Sequence, residues 1–203
     1  TPNMAAGLWL FSVGIAKKII LADFFAEWAD GGFAMVSLSL LAGWRTALGY
    51  TLQIYYDFSG YCDMAIGLGL MFNVRLPQNF DSPYRSTSIQ EFWRRWHMTL
   101  GRFLTMFVYR PLGGSKCRLP RTLLNILCTF LLSGLWHGAG WLFVLWGGLH
   151  GLALILQRLY QALRWRPMPK FLGVALTFLF TLLAWVLFRA ETWGDAKKVY
   201  MAM

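Results

Sequence analysis

The feature that most constrains this chain is a stretch of 36 residues, Thr122–Gln157, that contains no aspartate, glutamate, lysine or arginine. A helix needs about 20 apolar residues to cross the hydrocarbon core of a bilayer. The stretch is therefore long enough to cross out and back as a tight hairpin, with His137–Gly140 at or near the turn. It could equally dip into the membrane without crossing, because irregular backbone is tolerated there where protein or water surrounds it.

A histidine lies near the middle of this stretch, in the segment Leu132–Gly140. Ionisable groups at membrane depth are costly, and they usually face a protein interior or a cavity. Two interpretations of His137 stay open on this ground: a packing residue bonded to a carbonyl group, or a functional residue. His150 follows 13 residues later. That spacing places it on a different face of a continuous helix, and it is interpreted as structural.

The composition indicates an integral membrane protein. Hydrophobic residues make up 57% of the chain and charged residues only 14%, whereas soluble domains carry about 25% charged residues. A net charge of +10 would suggest nucleic acid in a soluble protein. Here the basic residues lie in short loops, so contact with membrane lipid explains them and no nucleic-acid partner is expected. The positive-inside tendency puts the loops Arg110–Arg121 and Arg158–Lys170 on the cytoplasmic side.

Further apolar runs predict more helices. Lys17 and Lys18 interrupt the first run, which favours a buried, tilted or interfacial helix over a lipid-facing span. A break is expected at Asp30–Gly32. The runs themselves are Gly7–Trp28, Phe33–Tyr56, Ala65–Val74 and Phe171–Phe188.

Two carboxylates, Asp57 and Asp63, are embedded in apolar sequence. At such positions a carboxylate is neutralised, paired with a basic residue, or exposed to a wet cavity. Pairing that holds helices together is the preferred interpretation, and Asp57 is also kept as a candidate substrate contact. Together with His137 the two carboxylates could instead form an ion or proton path. A transporter of that kind would be supported by inverted repeats or paired broken helices, and the sequence shows neither.

An interfacial amphipathic helix is predicted over Ile89–Leu100, where aromatic and aliphatic side chains recur at helical spacing. Ser88 is its predicted N-cap, with Glu91 at the third helical position. Arg94 and Arg95 lie off the apolar face. His97 borders that face and, on this ground alone, is interpreted as structural.

The motif inventory excludes several enzyme classes. The three cysteines form no Cys-x-x-Cys pair and the three histidines lack metal-ligand spacing, so no metal site or disulfide framework is expected. A nucleophilic-serine elbow and a phosphate-binding loop are also absent. The simplest enzyme interpretation is general-base catalysis, in which a neutral imidazole takes a proton from an attacking hydroxyl group. A reactive thioester would then need little besides positioning and the exclusion of water.

Six ordered motifs resemble the membrane-bound O-acyltransferase family, and its alginate O-acetyltransferase branch looks nearest. They are Tyr56–Gly67, Asn79–Tyr84, Phe92–Leu100, Tyr109–Gly114, Gly134–Ala139 and Trp185–Ala190. The resemblance implies an all-α, polytopic protein of the bacterial inner membrane, with helices around a central funnel or tunnel. It also implies that His137, in the Trp-His-Gly motif, is the catalytic base and that His97, in the Arg-Trp-His-Met motif, assists it.

The resemblance further implies a reaction and its partners. The donor would be acetyl-CoA on the cytoplasmic side, with no tightly bound cofactor. The acceptor would be a hydroxyl group of an exported polysaccharide such as alginate, and periplasmic acetylation proteins would complete the transfer. Two alternatives stay open: D-alanyl transfer from a carrier protein to teichoic acid, since that branch shares both histidine motifs, and a scaffold without activity in a polysaccharide export complex.

Family members are longer than this chain and begin with further spans, so residues 1–203 are expected to be the C-terminal part of a single transmembrane domain. Three tryptophans, Trp136, Trp141 and Trp146, are expected to wall the tunnel, and Trp136 to contact substrate. Arg94 and Arg95 are expected to bind phosphates, either of lipid headgroups or of the donor.

Overall fold

The computed structural model describes residues 2–163 and 168–203, and within them the secondary structure is helical, without strands. The predicted all-α class is therefore confirmed. Residues 164–167 of the predicted basic loop lie outside the described residues. The described α-helices are α1 (Pro2–Ala16), α2 (Asp23–Ala34), α3 (Leu40–Met71), α4 (Ile89–Arg95), α5 (Met98–Leu104), α6 (Leu119–His137), α7 (Trp141–Ala162), α8 (Lys170–Arg189) and α9 (Trp193–Ala202).

Three short segments complete the helical structure, and the chain divides into two compact units. Lys17–Ala22 and Thr105–Tyr109 are π-helical, and Pro83–Arg85 forms a 3₁₀ turn. The first unit comprises residues 1–79 and 189–203, and the second comprises residues 80–188.

In the first unit, α1, the π-helical segment and α2 form one helical stretch that packs on α3. The predicted break at Asp30–Gly32 is wrong, because Gly32 packs directly on Thr46 of α3 and this contact offsets the low helix propensity of glycine. The division between Phe33–Tyr56 and Ala65–Val74 is also wrong. A single helix begins at Leu40, where the Ser39 hydroxyl accepts a hydrogen bond from the Ala42 amide, and continues to Met71.

Ion pairs join the first helical stretch to α3. Lys17 Nζ lies 2.5 Å from an Asp63 carboxylate oxygen, and Lys18 Nζ lies 2.5 Å from Asp57 and 3.4 Å from Asp23. The predicted pairing of Asp57 and Asp63 with basic residues is confirmed. These pairs also explain why the two lysines are tolerated in a stretch that is apolar enough to cross a membrane.

Four helical stretches within the described ranges are long and apolar enough to be membrane spans. They are Asn3–Ala34, Leu119–His137, Trp141–Ala162 and Lys170–Arg189. The first of them contains Lys17 and Lys18, for which a buried, tilted or interfacial helix was expected, and by length and composition it is a candidate span. The hairpin predicted from the charge-free stretch is confirmed, since α6 ends at His137 and α7 begins at Trp141.

In the second unit, the α6–α7 hairpin is closely packed. A methyl group on Gly134 would overlap the Phe143 carbonyl oxygen, and one on Gly147 would overlap the Phe130 carbonyl oxygen. The two helix backbones therefore touch at these glycines, as small residues allow in membrane helix pairs. Aromatic side chains of α8 and α4 cover the hairpin, and the functional candidates lie among them.

Candidate functional site

The chain bends sharply at His97, where a continuous helix was predicted. α4 is capped as expected, because the Ser88 hydroxyl accepts from the Glu91 amide at 3.2 Å. The helix then stops at Arg95, since Trp96 is only 4% exposed and packs on neighbouring rings in an extended backbone conformation. His97 itself has φ +42°, in the left-handed region, and α5 begins after it. Such a conformation costs about 1–3 kcal/mol for a residue with a side chain and is concentrated at functional sites.

A cavity of about 720 Å³ opens beside this bend, entirely within the second unit. Its walls come from α4, α5, the π-helical segment, α6 and α7. The lining residues are Gln90, Trp93, Arg94, His97, Met98, Leu100, Gly101, Arg102, Leu104, Thr105, Met106, Tyr109, Arg110, Ile126, Thr129, Phe130, Ser133, Leu154, Gln157, Arg158 and Gln161.

The cavity runs along the α6–α7 hairpin. At its outer end the Gln90 amide donates to Gln157 Oε1 at 3.0 Å, and one turn further the Trp93 indole donates to His150 Nδ1 at 3.2 Å. His97 and Ser133 follow at the inner end. Gly147 of α7 packs at the level of Ser133, and Gln161 lies 14 residues further along the same helix. At 1.5 Å per helical residue, the cavity is therefore about 20 Å long.

Four arginines line the cavity: Arg94, Arg102, Arg110 and Arg158. No aspartate or glutamate lines it, and in the described part of the chain none of the four forms an ion pair with a carboxylate. Burial lowers the pKa of His97 from its ordinary value, which favours the neutral imidazole. The cavity is thus suited to an anionic ligand whose far end meets an uncharged histidine.

His137 lies one helical turn beyond Ser133, on the same face of α6 as the lining residues Ile126, Thr129 and Ser133. Its ring contacts Trp136, Trp146 and Phe188 at centroid distances of 4.9, 5.2 and 5.1 Å.

The His137 imidazole makes no hydrogen bond to another described residue, and it is within electrostatic range of His97. The structure therefore places His97 at the inner end of the cavity, and His137 one helical turn beyond the lining residue Ser133. There a ring nitrogen is available to take a proton from a hydroxyl group.

The other predicted site residues are distributed differently. Trp136 is 63% exposed and contacts His137, but it does not line the cavity. Neither do the exposed Trp141 and the buried Trp146. Asp57 is in the first unit, paired with Lys18.

The neighbouring arginines Arg94 and Arg95 are separated by the structure. Arg94 lines the cavity, whereas Arg95 does not. Arg95 pairs with Glu91 at 2.9 Å and with Asp81 at 3.5 Å. Glu91 also accepts hydrogen bonds from the Thr87 amide and hydroxyl, and these bonds hold the pKa of its carboxyl below the usual range.

Sequence reasoning missed most of the cavity wall. From the sequence, Arg110 and Arg158 indicate only the topology of the loops, and no pattern singles out Arg102. The pairing of Trp93 with His150 joins residues 57 positions apart, and no local sequence signal indicates it. The sequence signal that comes nearest to the cavity arginines is the absence of aspartate and glutamate from the two basic loops. Both loops were predicted to face the same side of the membrane.

Comparison with known proteins identifies the family. The sequence profile of the membrane-bound O-acyltransferase family matches residues 1–191. The chain belongs to the membrane-bound O-acyltransferase family. This membrane-bound O-acyltransferase chain is 50% identical over 205 aligned residues to the peptidoglycan O-acetyltransferase of Helicobacter pylori, an alignment that covers 99% of the chain and 39% of that protein.

Two further relatives differ in how similar they are to the chain. The probable alginate O-acetylase of Azotobacter vinelandii is 46% identical, over 99% of the chain and 40% of the relative. The teichoic acid D-alanyltransferase of Bacillus subtilis is 25% identical, over 70% of the chain and 40% of the relative. The chain thus spans about two fifths of the length of these curated relatives.

Proposed function

We propose that the protein carrying this chain is an O-acetyltransferase of the bacterial inner membrane. It would transfer an acetyl group from cytoplasmic acetyl-CoA toward hydroxyl groups of an exported glycan such as alginate or peptidoglycan. The single observation that carries this proposal is the cavity that ends at His97 and lies beside His137, because its four arginines form no ion pair with a carboxylate among the described residues. Family membership and the names of the more similar relatives favour acetyl transfer over the alternatives.

In the proposed mechanism, His137 takes the proton of the acceptor hydroxyl group as its oxygen attacks the thioester carbonyl carbon. The tetrahedral intermediate collapses, the carbon–sulfur bond breaks, and the proton held by His137 passes to the leaving CoA thiolate. His97 orients the donor or relays this proton. Holding both reactants in line beside a base supplies much of the rate enhancement, so the residues need not form a covalent intermediate.

The charge of the cavity supports free CoA as the donor. CoA carries a diphosphate and a 3′-phosphate at one end, joined to the thioester by a long uncharged arm. The exposed Arg110 and Arg158 lie toward the outer end of the cavity, beside Tyr109, while His97 lies at the inner end. Guanidinium groups bind phosphates by paired, charge-assisted hydrogen bonds. A carrier-protein arm would bring a single phosphodiester charge to the same place.

Location and partners complete the proposal. Arg110 and Arg158 would face the cytoplasm under the positive-inside tendency, which is where acetyl-CoA is available. Arg158 was predicted in a loop, but it lies in the last turns of α7. The acceptor hydroxyl group would receive the acetyl group from the opposite side, and periplasmic acetylation proteins would complete acetylation of the glycan. Membrane lipid would surround the four helical stretches that are long and apolar enough to be spans.

The test replaces His137 with alanine in the full-length gene of the native host. The readout is ester-linked acetate on the exported glycan, together with the amount of protein in the membrane. Leu135→Ala is the matched control, since Leu135 is 53% exposed on the same helix and does not line the cavity. Loss of a general base predicts about a 10²- to 10⁴-fold decrease for His137→Ala alone.

Unchanged acetate in His137→Ala at a normal protein level would contradict the proposed base. Ester-linked D-alanine, measured in the same samples, tests the carrier-protein alternative. If His137→Ala loses ester-linked D-alanine while acetate is unaffected, the reaction is D-alanyl transfer and not acetyl transfer. Loss of acetate with the protein still in the membrane would also exclude a scaffold without activity.

A further inference from the structure

The third histidine of the chain, His150, is joined to the cavity wall by a hydrogen bond. His150 has 0% exposure, and its ring is enclosed by Phe92, Phe130, Trp146 and other aromatic side chains. Its Nδ1 accepts the indole N–H of Trp93 at 3.2 Å. Trp93 lines the cavity one turn before His97.

The direction of this bond fixes the tautomer of His150. Because Nδ1 accepts a hydrogen bond, the neutral ring carries its proton on Nε2. Nε2 is fully buried and has no hydrogen-bond partner among the described residues, and the same is true of the indole nitrogens of Trp146 and Trp185. The cluster therefore contains donor groups without an acceptor.

Packing alone does not account for a histidine here. A buried polar group without a partner opposes folding, whereas an apolar side chain of similar volume would not. A leucine among the same rings would place no unsatisfied polar atom there. What an apolar side chain cannot provide is the acceptor for the Trp93 indole.

Trp93 occupies a position where orientation matters. It lies between the Gln90–Gln157 bond at the outer end of the cavity and His97 at the inner end. Its ring also contacts Phe130 and Trp146 at 5.2 and 5.8 Å. The bond to His150 selects one orientation of the indole among these contacts.

We propose that His150 is a positioning residue that holds the Trp93 indole as the wall directing the donor thioester toward His97 and His137. This inference rests on the proposed acetyl transfer. It assigns a role in the reaction to Trp93, which lies in the Phe92–Leu100 motif, and to His150, which lies outside all six motifs.

The test uses the full-length protein in membrane vesicles with acetyl-CoA as the donor, following the release of free CoA. His150→Leu removes the acceptor, while His150→Asn keeps an oxygen near the position of Nδ1. For His150→Leu, kcat/KM falls about 100-fold, the size of effect that a small misplacement of reacting groups produces. The temperature of unfolding changes little, because removal of the unsatisfied Nε2 donor offsets the loss of the bond to Trp93. His150→Asn recovers most of the activity.

A second pair of variants tests the connection between the two residues. Trp93→Phe removes the donor and keeps an aromatic ring, so it causes a loss similar to that of His150→Leu. In the double variant the two losses are not additive, because both remove the same bond. Trp93→Phe alone keeps the inference testable if His150→Leu fails to fold, because it removes the same bond without changing His150.

Two results would overturn the inference. One is a lower unfolding temperature for His150→Leu with unchanged kcat/KM of the folded protein, the behaviour of a packing residue. The other is additive losses in the double variant, which would mean that the two side chains act separately. Unchanged activity of His137→Ala in the same vesicles would instead contradict the proposed function, so the two failures are distinguishable.

Discussion

The two compact units use basic side chains in different ways. In the first unit, Lys17, Lys18 and Arg189 each contact a carboxylate, and for Lys17 and Arg189 the N–O distances are 2.5 and 2.8 Å. In the second unit, the four arginines that line the cavity contact none of the described carboxylates. The difference indicates that charge in the first unit joins helices, whereas charge in the cavity is available to a ligand.

The same contrast occurs between two neighbours in sequence. Arg94 lines the cavity, while Arg95 is held by Glu91 and Asp81. Composition and spacing do not distinguish these two arginines. The structure distinguishes them by their partners, because Arg95 contacts two carboxylates and Arg94 faces the cavity. Three sets of substitutions test whether the presence or absence of a carboxylate partner predicts the role of a basic residue.

The largest effect is expected from removing two cavity charges together. Arg110→Gln with Arg158→Gln removes two charge-assisted contacts, and KM for acetyl-CoA rises about 100-fold if each contact contributes about 1.4 kcal/mol, with little change in kcat. The control is Arg118→Gln with Arg121→Gln, which removes the same charge from residues that do not line the cavity. An equal rise in KM for both double variants would show that only net charge matters.

A smaller effect, on stability rather than binding, is expected in the first unit. Lys17→Met leaves Asp63 without its partner, and the free energy of unfolding falls by about 2 kcal/mol, less than for a fully buried pair because both side chains are partly exposed. Adding Asp63→Leu restores stability, since both charges are then gone. A double variant as unstable as Lys17→Met would contradict this account of the pair.

The smallest effects separate the neighbouring arginines. Arg94→Gln raises KM for acetyl-CoA about tenfold, equivalent to the loss of about 1.4 kcal/mol of binding free energy. Arg95→Gln leaves KM unchanged and lowers the free energy of unfolding by less than about 1 kcal/mol, as expected for a partly exposed ion pair. Equal KM values for the two variants would remove the distinction between them.

Much of the second unit was predictable from sequence, because charge-free length and helix capping are local properties. The Thr122–Gln157 hairpin and the Ser88 cap were predicted correctly on these grounds. The bend at His97 was not, since it depends on the burial of Trp96 against Phe80 and against Trp185 of α8. In the first unit, Gly31 and Gly32 indicated a break, but packing on α3 keeps the helix continuous.

The site was predictable only in part. His97 and His137 were indicated by family resemblance, and the structure places His97 at the inner end of the cavity and His137 one helical turn beyond Ser133. The cavity arginines and the Trp93–His150 bond come from segments far apart in sequence, so their proximity is a property of the tertiary structure.

The most direct test of the central claim is a cryo-EM structure of the full-length protein with CoA bound. The account predicts the phosphates of CoA against Arg110 and Arg158, the arm along Trp93, and the sulfur atom beside His97 and His137. Phosphates bound elsewhere, with the cavity filled by lipid, would contradict it.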